Sequence, residues 1–185
     1  MSNVRYLANK VIPLQQDFIW RIASTVRASA QNALNSDEPL VDIVSALEHL
    51  HNNEFITIEI AEFSSMPSEY ALAFPKERKI IIREDTYENA VTGFPRDRFT
   101  LAHELGHLIL HVNAPHHYAS AQSVVSNHHY TEDAEWQANE FAASFLIDHK
   151  NKQFTRTPLL IARTFGVSHE VAGIVWRKLR SSGLA

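Results

Sequence analysis

The sequence predicts an α+β domain, mainly helical, with a small three-stranded sheet. Three observations carry this. Apolar residues recur at helical spacing before residue 53, the period switches to two over residues 55–63, and helical spacing returns from Pro95 onward. Helices, then strands, then helices is the order of an α+β fold rather than of a β-α alternation. The 185 residues suffice for one compact unit, and 45% hydrophobic with 21% charged residues is ordinary for a globular chain.

The first helix follows Pro13, with Phe18, Ile19, Ile22 and Val26 at helical spacing. A second follows Pro39, with Leu40, Ile43, Val44, Leu47 and Leu50 on one face. In FITIEIAEF, Ile56, Ile58 and Ile60 alternate with Thr57 and Glu59, which predicts a strand with one buried face. SSMPSEY is a turn-rich break. ALAF and KIIIRE read as two further strands joined by a turn over Pro75 to Arg78. KIIIRE either presents a free edge to an extended peptide or is an internal strand; the sequence leaves both open.

Pro95 opens the helix that carries HELGH. The histidine-rich loop NAPHHYASAQSVVSNHH follows. Thr131 is the expected N-cap of the next helix, with Glu132 and Asp133 in its first turn. That helix runs through EWQANEFAASFLI. Two helices fill Pro158 to Leu179 around a turn at Phe165-Gly166-Val167-Ser168. Residues 1–53 are expected as a helical region packed on a core of 54–150, and 151–185 as a helix-turn-helix-like region, all in one compact unit.

Composition narrows the function classes. With no cysteine, disulfides, thiol nucleophiles and cysteine zinc sites are excluded. No apolar run reaches the roughly 20 residues of a membrane span, and the N-terminus lacks a secretory pattern, so a cytoplasmic protein is expected. A net charge of −4 is unlike that of strongly basic nucleic-acid binders. Eleven histidines, by contrast, invite a search for a metal site.

His103 and His107 in HELGH are four apart, so a helix stacks them on one face, where both imidazoles can reach one ion. Glu104 is rotated by about 100° and can reach a water on the open side. This is the arrangement of zinc hydrolases, in which the glutamate is the general base. The helix is apolar nearly all round through Leu101, Ala102, Leu105, Leu108, Ile109 and Leu110. Burying two imidazoles and a carboxylate there is costly without a partner, and a metal provides one. Gly106 costs about 1 kcal/mol of helix propensity against alanine, which points to a close approach at that position.

A third ligand must come from elsewhere. Leu110 and Asn113 stand where an extended HExxHxxGxxH motif needs glycine and histidine, and His111 lies too far along a straight helix. On EWQANEFAASFLI, Glu135 falls roughly 60° from the apolar stripe of Ala138, Phe141, Ala142 and Phe145, and Glu140 roughly 160° away. Glu135 is therefore the expected ligand and Glu140 is expected in solvent. Ala138, Ala142 and Ala143 would let the two helices approach closely. His116, His117, His128, His129, Tyr118 and Tyr130 are loop candidates for stabilising an oxyanion.

RFTLAHELGHLILH followed by EWQANEFAASFLI resembles the ImmA/IrrE family of metallopeptidases. The resemblance spans about Met66 to Leu179, including ALAFPKERKIIIRE and LLIARTFGVSHEVAGIVWRKL. It implies a zincin-like peptidase with zinc on His103, His107 and Glu135 and with Glu104 as catalytic base. It implies further that the substrate is a DNA-binding repressor, of the helix-turn-helix kind, cleaved in stress or mobile-element regulation. The second motif departs from the family's Leu-Met-Pro ending, reading Leu146-Ile147-Asp148. The alternative function is a metal-containing binding protein, a toxin–antitoxin component or a transcriptional co-regulator. Gly166, Ser168 and the Arg177, Lys178, Arg180 run give the tail a DNA-binding look. Its apolar Ile161, Phe165, Val167, Val171, Ile174, Val175 and Leu179 point instead to packing on the core, so no direct nucleic-acid binding is expected.

Overall fold

The computed structural model describes residues 10–112 and 128–182. Seven α-helices and three strands follow in the order α1 (Gln16–Ala33), α2 (Ile43–Asn52), β1 (Thr57–Ala61), β2 (Ala71–Phe74), β3 (Lys79–Arg83), α3 (Glu84–Val91), α4 (Pro95–Leu110), α5 (Ala134–Leu146), α6 (Pro158–Phe165) and α7 (His169–Ser181). The α+β expectation holds. The sheet order is β1-β3-β2, with β1 parallel and β2 antiparallel to β3. KIIIRE is thus the central strand, paired on both sides, and cannot offer an edge. Its Ile80 and Ile82 are fully buried and pack with Leu101 and Leu105 of α4 and Phe141 and Phe145 of α5 in one core.

Three local expectations change. β1 lies at the margin of the sheet, so its alternation is only half realised: Ile58 is partly buried, and Ile60 is 49% exposed although it faces the same way. α3 is an added helix. Its sequence EDTYENAV buries little beyond Thr86 and Ala90, and so has no apolar stripe to read. At α5 the cap is Asp133, whose carboxylate accepts from the Glu135 and Trp136 amides at 2.8 and 3.1 Å. Thr131 and Glu132 belong to a preceding 3-10 turn.

The flanking helices are tied to the middle of the chain by buried polar groups. Arg27 of α1 donates to the Phe145 and Leu146 carbonyls at 2.8 Å each, and also to Pro39 O. These are carbonyls that the end of α5 leaves without helical partners. Arg98 of α4 donates to Phe165 O (3.1 Å), Gly166 O (2.6 Å) and Val41 O (2.8 Å). Gly166 takes the left-handed conformation that ends α6, and Ser168 caps α7. Ala172, Val175 and Leu179 of α7 are buried, as expected, whereas Ile174 faces outward.

Glu140 is the largest departure. It is 4% exposed, accepts from Trp20 Nε1 of α1 at 3.0 Å, and pairs with the Lys178 ammonium of α7. The single apolar stripe misplaced it, because α5 is covered on more than one side. Glu140→Ala should lower stability by about 2–3 kcal/mol in urea unfolding, since it strands the Trp20 N–H and removes the partner of Lys178. Lys178 is one-third exposed and can reach water, which limits the loss. A change within about 0.5 kcal/mol would mean that the carboxylate is solvated.

Candidate metal centre

The centre is built where α4 crosses α5. α4 is buried through Leu101, Ala102, Leu105 and Leu108, and α5 through Ala138, Phe141, Ala142 and Phe145. The crossing is as close as Gly106 suggested: a Cβ there would lie 3.0 Å from Phe141 Cδ1 and 3.3 Å from the Ala138 Cα. Gly106→Val should therefore push the helices apart, at a cost of about 1–3 kcal/mol, visible as a lower thermal midpoint. An unchanged midpoint would contradict the close crossing.

This crossing brings three donors together. His103 Nε2 and His107 Nε2 are 2.9 Å apart, and they lie 3.1 and 3.2 Å from the two carboxylate oxygens of Glu135. The donor atoms all fall within 4.8 Å of one another, so the group could hold a metal ion. Two imidazole nitrogens and a carboxylate are a donor set that suits zinc.

The electrostatics favour positive charge at this point. Burial alone would raise the Glu135 pKa, but the hydrogen bonds to His103 and His107 hold it well below the usual carboxylate range. Burial pulls the His103 pKa down, and the Glu135 hydrogen bond with the Glu104 and Glu135 charges more than offsets this and raises it. A cation in the triangle would meet both demands.

Glu104 is buried beside the triangle, and burial pushes its pKa up against the lowering effect of His107 and His103. The backbone N–H of Ala73 in β2 also works to lower it. The ladder explains why that N–H is available. Tyr70 O accepts from Arg83 N at 3.0 Å, and antiparallel pairs alternate, so the peptide groups of Ala71 and Ala73 point away from β3. Among the described residues, β2 is therefore the strand whose outer edge is unpaired on this side of the sheet.

The four residues singled out in the sequence thus meet at one place. Three further side chains, none of them expected at the site, flank these. Asn139 Oδ1 lies 3.1 Å from His103 Nδ1, and His111 Nδ1 lies 2.9 Å from His107 Nδ1. Buried His111 meets Gln137 Oε1 through its Nε2 at 3.0 Å. Burial first, and then His107, pushes the His111 pKa down to about 4. The available signal was the alternation Glu135, Gln137, Asn139: polar residues on a helix otherwise buried. Among the oxyanion candidates, His129 caps the 3-10 turn through Thr131, and Tyr130 packs edge-on against Trp136. His116, His117 and Tyr118 lie outside the described residues.

An α+β scaffold carrying a His-His-Glu group that could hold a metal ion is the class that this fold and site define. The chain belongs to the Peptidase_M78 family, whose profile, described as the IrrE N-terminal-like domain, matches residues 56–176. That membership supports a peptidase-type enzyme. A solved structure of a Mycobacterium tuberculosis transcriptional regulator is similar over 85% of this chain, at 16% identity and a TM-score of 0.47. The chain spans 49% of the length of that protein. No curated protein sequence matches. Among the described residues, no helix is long and apolar enough to cross a membrane.

Proposed function

We propose that the chain is a zinc-dependent endopeptidase whose substrate is a specific protein, a DNA-binding transcriptional repressor, cleaved in the cytoplasm in stress or mobile-element regulation. One observation carries the chemistry: three donors that could hold a metal ion converge beside a buried glutamate. His103, His107 and Glu135 would hold the ion. Zinc bound there supplies Lewis acidity. Glu104 takes the proton of the attacking water and returns it to the leaving amide nitrogen. Its burial raises its proton affinity toward that of a working base. The β2 edge holds the substrate as an added extended strand, through the outward peptide groups of Ala71 and Ala73.

Residues 1–53 and 151–185 fold with the 54–150 metallopeptidase core as one unit in this reading. The Arg27, Arg98 and Glu140 bonds across those boundaries support it. The repressor substrate rests on the family resemblance.

The test is hydrolysis of purified helix-turn-helix repressors by the zinc-loaded chain. Cleavage at one or a few sites, stopped by a chelator and restored by zinc, is expected. Cleavage that survives chelation would overturn the proposal.

A further inference from the structure

Two arginines lie over one tyrosine at the start of β2. Tyr70 immediately precedes the strand and is 37% exposed. The Arg83 guanidinium carbon is 4.4 Å from its ring centroid, and that of Arg96 is 3.9 Å away. The two cations differ in what else they meet. Arg83 is buried, donates to Met66 O and Glu69 O at 3.1 Å each, and pairs with Asp85 at 2.6 Å. Its donors are taken up in holding the turn before β2. Arg96 is exposed, and among the described residues no carboxylate forms an ion pair with it. A guanidinium held over an aromatic ring keeps N–H groups at its rim in a fork that matches a carboxylate.

Arg96 also lies on the face of α4 that carries the two histidines. At about 100° per residue, Arg96, Thr100, His103 and His107 fall within about 60° of one another. His103 follows Arg96 by seven residues, which is about 10 Å along the helix axis. β2 runs beside α4 in the same sense. Tyr70 meets Arg96 at one end, and the Ala73 N–H acts on Glu104 at the other. An extended chain advances about 3.3 Å per residue, so about three residues of a strand laid along β2 cover that interval. We propose that Arg96, backed by Tyr70, is a specificity-determining residue that takes an acidic side chain of the substrate, about three residues from the scissile bond. The inference rests on the reading of the chain as an endopeptidase with its substrate along β2. An antiparallel substrate strand sets the acidic residue on the C-terminal side of the cut, and a parallel one on the N-terminal side.

A random library of short synthetic peptides, digested by the zinc-loaded full chain, tests this. Asp and Glu are expected to be enriched about 3–10-fold at one position, on one side of the cuts only. Arg96→Gln should remove the enrichment, and Arg96→Glu should replace it with Lys and Arg. The absence of an acidic preference, or one that survives Arg96→Gln, overturns the proposal. A second readout needs no turnover. It compares the library peptides retained by the immobilised, zinc-loaded Glu104→Gln chain with those retained by the same chain carrying Arg96→Gln as well. Should the native chain cut neither these peptides nor any repressor, the endopeptidase reading falls. Acidic peptides retained only when Arg96 is present then leave the acid-binding subsite standing, and retention indifferent to Arg96 overturns it too.

Discussion

Glu104→Gln abolishes peptide hydrolysis while zinc affinity stays close to native. The expected fall in kcat is about 10²–10⁴-fold, the usual contribution of a positioned general base. Glutamine has nearly the same shape, so the packing around this buried position should hold. What it cannot do is take a proton from water. The donors of the triangle are His103, His107 and Glu135, none of which is altered, so zinc binding in chelator competition separates a lost base from a lost metal. Equal loss of zinc and activity would place Glu104 among the ligands instead.

Glu135→Ala should do the opposite and remove the metal. Its carboxylate supplies one of three donors and the only negative charge among them. We expect zinc affinity to fall by more than about 100-fold, beyond what losing a supporting residue costs. Unfolding of the zinc-free protein should change little, because the side chain is 45% exposed and its hydrogen bonds to histidine are partly screened. The α5 cap survives, since Asp133 rather than Glu135 accepts the first helical amides. A large loss of stability with zinc still bound would make Glu135 a structural residue.

The geometry of this site was legible because it is local. A spacing of four on one helix aligns His103 with His107 whatever surrounds them, and Gly106 announced a close neighbour that proved to be Phe141 and Ala138. Glu135 followed from the angle of one helix. The same method failed for Glu140, where α1 and α7 cover what a single stripe leaves to solvent. The burial of β1 was overestimated and α3 was missed for the related reason that alternation and stripes report burial only where another layer covers the element. The His111–Gln137 contact was beyond reach, since the Gln137 amide is held in part by a carbonyl more than 100 residues away in sequence.

The measurement that tests the central claim most directly compares newly formed protein N-termini in cells making the native chain with cells making Glu104→Gln. The account predicts a small set of new N-termini, within a DNA-binding repressor, present only with the native chain. Identical N-termini in both, at rest and under stress, would contradict it and leave the His103, His107 and Glu135 cluster as a staple in a binding protein.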